Sequence, residues 1–182
     1  MASGRGRVAM SDAEIEEFLA GDMKVQVATV GPDGAPHLTT LFYVLDRGRV
    51  AFWTYGSSQK IKNLRRDPRI SCLVEDGEDY FELRGVSITG RAVLVEEYDE
   101  IKALGARMTQ RMAAGMTGMG ADADLGELGD QIVEQQARKR VGVVVEPEKV
   151  ASWDHRKMGA LPGMDPAGSS MQEDDGAMEE TP

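Results

Sequence analysis

KVQVATVGPDGAPHLTTLFYVLDRGRVAFWTY, residues 24–55, decides the fold. Over 24–30 Val25 and Val27 alternate with other residues, the period of a strand. Gly31-Pro32-Asp33-Gly34 is a turn, because Pro32 presets φ and Gly34 accepts a positive φ. Residues 36–45 return as a second strand, so 24–45 is a hairpin. Asp46-Arg47-Gly48 turns the chain again, and 49–55 form a third strand.

Downstream, Gly56-Ser57-Ser58 breaks the third strand and caps a short helix over 58–66, ended by Asp67-Pro68. A fourth strand covers 70–75, and a turn rich in Gly and Asp follows at 76–79. A long strand over 80–95 bends at Gly85 or Gly90. A helix over 97–114, a glycine-rich loop over 115–129 and a helix over 130–139 come next. The last strand covers 140–146 and extends toward Trp153. Upstream, Ser11-Asp12-Ala13-Glu14 is a capping box, and the helix it opens stops at Gly21. The order is α-β-β-β-α-β-β-α-α-β. Its strands arrive as hairpins and not as alternating βαβ units, which excludes a doubly wound sheet. The fold class is α+β, a small antiparallel barrel flanked by helices.

The chain has 182 residues, enough for one domain with a real core. That domain is expected over 11–160. Residues 1–10 and the acidic stretch 161–182 are expected to lack structure. No apolar run approaches a membrane span, and no apolar segment follows the N-terminal arginines as a secretory signal requires. A single cysteine, Cys72, forbids an intramolecular disulfide and suits a cytoplasmic protein. One Cys and two His make an all-protein zinc site improbable, so no metal is expected. The net charge of −10 argues against general nucleic-acid binding. Within this acidic chain Lys60, Lys62, Arg65, Arg66 and Arg69 cluster against Asp67 alone, which points to a specific anionic ligand.

The cluster belongs to FWTYGSSQKIKNLRRDPR, residues 52–69. A strand runs through a Gly-Ser-Ser turn into a helix. The helix start offers unpaired N–H groups and a positive dipole end. Thr54, Ser57 and Ser58 add hydroxyls and Lys60 a full charge, together a phosphate cradle without a Walker motif. The same residues also read as an ordinary capped helix with a solvated basic face. Met108, Met112, Met116 and Met119 repeat at helical spacing and read as packing. Cys72 alternates with Ile70 and Val74 and reads as buried and inert.

This stretch resembles the split-β-barrel flavin and deazaflavin proteins related to pyridoxamine phosphate oxidase. The likeness covers about residues 12–155. It rests on Gly31-Pro-Asp-Gly-Ala-Pro36, Ser58-Gln-Lys60 with Asn63, Arg65-Arg-Asp-Pro-Arg69, and Gly85 to Arg91. The Gly-Ser-Ser-Gln-Lys form is most similar to the actinobacterial branch that uses the deazaflavin F420. The resemblance implies an antiparallel split barrel and an F420H2-dependent oxidoreductase acting on a small planar unsaturated molecule. It places the coenzyme phosphate on Thr54, Ser57, Ser58, Gln59 and Lys60, with Asn63 one turn on. It places the ring system between Pro36, His37 and Thr40 on one side and Phe52 and Trp53 on the other. Tyr80 and Arg140 match further cofactor positions. It implies a homodimer with shared sites, and Lys62, Arg65 and Arg66 as steering charges for the anionic tail of F420.

His37, Tyr43 and Tyr55 are the candidate proton donors; each also reads as a turn or core residue. His155 reads as packing around Trp153. The chain lacks the Arg-Leu-x-Pro ending of substrate-specific pyridoxamine phosphate oxidases, which argues against vitamin B6 oxidation. FMN binding on the same fold, and non-catalytic flavin or haem carriage, are the alternatives.

Overall fold

A computed structural model describes residues 7–21, 24–117 and 126–160. The strands are β1 (Lys24–Val30), β2 (Pro36–Phe42), β3 (Val44–Asp46), β4 (Arg49–Tyr55), β5 (Arg69–Asp76), β6 (Arg84–Val95) and β7 (Arg140–Asp154). The helices are α1 (Asp12–Gly21), α2 (Gln59–Arg66), α3 (Tyr98–Thr117) and α4 (Gly126–Ala137), and a 3-10 turn spans His155–Ala160. The strands form one sheet in the order β2-β1-β5-β6-β7-β4-β3, every neighbouring pair antiparallel. The edge strands β2 and β3 are separated in the chain only by Tyr43. The sheet therefore curls until its two edges approach, which is the expected α+β split barrel.

Local chemistry explains the framework. The Gly31 amide donates to the Ala35 carbonyl at 2.7 Å and the Gly34 amide to the Gly31 carbonyl at 3.1 Å, closing the first hairpin. The capping box forms: the Ser11 amide donates to Glu14 Oε2 at 2.7 Å and the Glu14 amide to Ser11 Oγ at 3.4 Å. In the β6–β7 pair, register slips between Thr89 and Gly90, opposite Pro147. A Cβ on Gly90 would sit 2.0 Å from the Glu146 carbonyl oxygen, so only glycine fits this bulge. Val25, Val27, Phe52, Val74, Val86 and Val143 fill the barrel interior.

Several expectations are corrected. Residues 36–45 are two strands, because Tyr43 leaves the sheet and buries its ring, its hydroxyl donating to the Leu19 carbonyl at 2.6 Å. The fifth long strand starts at Arg84 and not at 80; Tyr80 lies in the preceding turn, where the Glu82 and Leu83 amides donate to the Asp79 carbonyl. Helices extend to Thr117 and begin at Gly126, narrowing the loop expected at 115–129 to 118–125, which lies outside the described residues. Within 1–10, Met10 is buried and its amide donates to Ser152 Oγ at 3.1 Å, because strand β7 runs on far enough to receive it. Residues 1–6 and 161–182 lie outside the described residues. Among those described, no helix is long and apolar enough to cross a membrane.

Candidate functional site

The turn after β4 is braced on β7: the Gly56 amide donates to the Lys139 carbonyl at 2.9 Å, and the Ser58 amide to Tyr55 at 2.9 Å. Ser58 occupies the N-cap of α2 in extended backbone, yet its side chain makes no capping bond. Its Oγ is buried without a partner. Ser57 and Gln59 are exposed beside it.

Lys60 lies in the first turn of α2 and is only 9% exposed. Its Nζ donates to Thr54 Oγ1 at a long 3.4 Å. Among the described residues no carboxylate pairs with it. Burial pushes its pKa below the usual 10.5, the signature of an ammonium that has lost water without gaining a counter-ion. Three residues on, Asn63 is fully buried; its Nδ2 donates to Thr29 Oγ1 at 3.0 Å, and its Oδ1 accepts from Gln59 Nε2 at 2.9 Å. These bonds tie α2 to the end of β1.

The β1–β2 register sorts the candidates on β2. His37 stands opposite Thr29 and Thr39 opposite Val27, so their side chains share the inward face. His37 Nδ1 and Thr39 Oγ1 are both buried without a hydrogen-bond partner. Pro36, Leu38 and Thr40 point to the other, exposed face. The expected grouping of Pro36 and Thr40 with His37 is therefore corrected: strand alternation separates them.

On β4 the expected pair Phe52 and Trp53 is also divided. Phe52 is wholly inside the core, on the face of Thr54 and Lys60. Trp53 lies on the opposite face against α3, where a Cβ on Gly105 would come within 2.2 Å of the indole. The Arg140 guanidinium sits 4.6 Å from the ring centroids of both Trp53 and Tyr55. Its Nη2 donates to Gln136 Oε1 at 3.2 Å, and burial lowers its pKa. Arg140 and Lys60 thus flank the Gly56–Ser58 turn from opposite faces of β4.

Other candidates fall elsewhere. Tyr80 is 62% exposed and stacks at 4.8 Å on His155, whose Nδ1 is 2.7 Å from the Tyr80 carbonyl. It lies at the far end of β5, about 20 Å along the strand from the Asn63–Thr29 contact. The Tyr43 hydroxyl is engaged in the core, which removes it as a proton donor. Arg65 pairs with Glu96 at 2.7 Å and Arg66 donates to the Val30 carbonyl, so among the described residues only Lys62 of the three expected steering charges has no such partner. Burial raises the Cys72 thiol to about 12, consistent with an inert core residue. No cluster of three or more metal-ligating side chains occurs among the described residues. Thr29 and Thr39 were not singled out by sequence reasoning. Their signal was strand alternation, but apolar Leu38 faces out while polar His37 and Thr39 face in, so the usual apolar-in reading of β2 picks the wrong phase.

A model of the pyridoxamine 5'-phosphate oxidase family matches residues 11–154. Among curated proteins no match is found. A conserved hypothetical protein, Rv2991 of Mycobacterium tuberculosis, is 41% identical, with 92% of this chain and 99% of that chain covered at a TM-score of 0.77. A solved F420 reductase is 21% identical over 75% of this chain and 94% of its own, with a TM-score of 0.51. The haem storage protein HutZ of Vibrio cholerae is 20% identical over 78% and 94%, with a TM-score of 0.58. The last two share the fold alone. With the family pattern running from the capping box to the end of β7 on a split barrel, this chain belongs to the pyridoxamine 5'-phosphate oxidase family.

Proposed function

We propose that the protein is an F420H2-dependent reductase of small planar unsaturated molecules. The observation that carries the reading is Lys60, a buried cation with, among the described residues, a single long hydroxyl contact and no carboxylate. A buried unpaired charge is costly, and a bound anion removes that cost. The unpartnered Ser58 Oγ and the open N–H groups at the start of α2 lie within a turn of Lys60 in the chain, a donor set that fits a phosphate. The resemblance of the Gly56–Lys60 turn to the deazaflavin branch selects F420 among phosphate-bearing coenzymes.

When bound, the reduced deazaflavin supplies the hydride. The chain's own share is positioning. Lys60, Ser58 and Thr54 hold the phosphate. Asn63 fixes α2 against Thr29, which sets the distance from the phosphate to the inward face of β2. His37 on that face, or Tyr55 at the end of β4, delivers the proton. Arg140 flanks the phosphate turn within one chain, whereas Trp53, on the outer face of β4, and Tyr80, at the far end of the sheet, reach a shared site in a homodimer. The exposed Leu38 and Phe42, with the cleft of about 460 Å3 lined by Ala28, Leu73 and Trp153, suit that second copy.

FMN is the second reading, because it presents the same phosphate to the same turn. Fluorescence titration with F420 and FMN in parallel separates the two. Tight F420 binding with weak FMN binding is expected. Lys60→Ala is expected to weaken binding by about 1–3 kcal/mol, the usual range for a charged hydrogen bond. Binding of neither coenzyme would reduce the turn to a helix cap.

A further inference from the structure

Beside the phosphate site lies a basic face whose charges the described residues match only in part. Lys62, Arg65 and Arg66 are exposed on α2, and Arg69 is exposed at the start of β5. Two carboxylates reach this face, and both are taken: Asp67 by Arg69 at 2.6 Å and Glu96 by Arg65 at 2.7 Å. Arg66 donates to the Val30 carbonyl and acts on Asp67 only through space. Lys62 makes no hydrogen bond or ion pair among the described residues. Lys62 and Arg66 are four residues apart, hence neighbours on one side of the helix. Surplus cations on one helix face of a chain with net charge −10 call for an anion.

The complementary charge is present in the same chain. Residues 161–182 hold Asp165, Glu173, Asp174, Asp175, Glu179 and Glu180 and no Lys or Arg. Chain length permits the meeting. His155 stacks on Tyr80 at the far end of β5, about 20 Å along the strand from α2. The 3-10 turn His155–Ala160 adds at most about 12 Å. From Ala160 to Glu173 the chain can span up to about 43 Å. We propose that the acidic stretch 173–180 docks on the Lys62–Arg66 face of α2 and is displaced when an anionic ligand enters beside Lys60. Exposed ion pairs are individually weak, so the contact yields to a ligand. Tethering in one chain supplies an effective concentration of about millimolar, so it forms without one. The docking stands on charge and reach; its effect on the coenzyme rests on the proposed function.

The first test needs no coenzyme. Carbodiimide coupling of the full chain at low salt joins a carboxylate to a nearby lysine amine as an amide, with loss of one water, and mass spectrometry maps the joined peptides. Lys62 coupled to Glu173, Asp174 or Asp175 is expected. No coupling of these three, or coupling only to other lysines, overturns the docking. In a mixture of isotope-labelled and unlabelled chains, coupling only between the two kinds assigns the face to a second copy and also overturns it. The second test is titration with F420 and with FMN of a full-chain variant carrying Glu173→Gln, Asp174→Asn, Asp175→Asn, Glu179→Gln and Glu180→Gln. It should bind whichever coenzyme the wild type takes about two- to fivefold more tightly at low salt, the worth of an exposed ion pair. The gain should vanish at about 1 M salt, where screening leaves a Debye length of about 3 Å. A control with the same charge change elsewhere, Glu16→Gln, Glu17→Gln, Glu78→Gln, Asp79→Asn and Glu82→Gln, should stay near the wild type. Equal gains in both variants, or none in the first, overturn the displacement. Lys62 coupling in a protein that binds neither coenzyme leaves the docking standing and removes the coenzyme reading.

Discussion

The two ends of the sheet treat charge in opposite ways. Around α1 and the β6–β7 end lies a cleft of about 690 Å3, lined by Glu14, Asp76, Arg84, Asp154 and Arg156 among others. These charges are already matched. Arg84 meets Asp76 at 2.6 Å, Arg156 meets Asp154 at 2.5 Å and Lys157 meets Glu14 at 2.8 Å. Arg156 holds the Asp154 carboxyl below its usual 3.8, and Lys157 with the Ser11 cap brings Glu14 to about 2. At the other end Lys60, Ser58, His37 and Thr39 hold polar atoms that the chain does not fully satisfy. Unmet hydrogen-bonding capacity selects the second, because a folded chain retains that cost where a ligand removes it.

Crossed substitutions test this contrast, the largest effect first. Asp154→Asn removes a buried carboxylate from a two-bond contact with Arg156; denaturant unfolding should show a loss of about 2–3 kcal/mol, and coenzyme affinity should not move. The Asp154 pKa is depressed in the folded state, so its contribution is complete above the unfolded value near 3.8 and disappears as pH falls through the lower folded value. The Asn variant should lack that share of acid sensitivity.

Lys60→Met should do the reverse. It removes an unpaired buried charge and keeps the apolar stem, so stability should hold or rise by about 1 kcal/mol while coenzyme affinity falls by about 1–3 kcal/mol. A large loss of stability would mean that Lys60 is a structural residue. Tyr43→Phe strips the Leu19 carbonyl of its partner and should destabilise by about 1–2 kcal/mol, with proton delivery and coenzyme affinity untouched. A subtler test is pH. The Lys60 pKa is lowered, so the ammonium that attracts the anion is lost on the way to 10.5 and not beyond it. Coenzyme affinity should therefore decline with rising pH before that value, and Lys60→Met should abolish that decline. Smallest of all, Arg65→Ala breaks an exposed pair with Glu96 and should cost about 0.2–1 kcal/mol, with binding unchanged at moderate salt.

The element order apart from the split of 36–45, both hairpin turns, the capping box and the helix after Gly56-Ser57-Ser58 were legible beforehand, as was the split barrel. The errors share a cause. Residues 36–45 carry apolar side chains on both faces, so nothing local announced that Tyr43 would leave the sheet for the Leu19 carbonyl. On β2, Leu38 is 67% exposed while polar His37 and Thr39 point inward, which inverts the usual alternation. Phe52 and Trp53 are neighbours in sequence and for that reason cannot share a face of β4. Met10 found a place at Ser152, a partner 142 residues away.

What the sequence by itself determined is local: period-2 runs, turn glycines, caps and a serine-rich turn entering a basic helix, each set by backbone preferences within a few residues. Only the tertiary structure decided which charges stayed unpaired. Glu96 reaches Arg65 and Glu14 reaches Lys157, but among the described residues no carboxylate reaches Lys60. It also decided that Thr39, and not Thr40, faces inward. Burial and strand phase depend on register against residues distant in the chain, and the physics of a short segment does not contain that register.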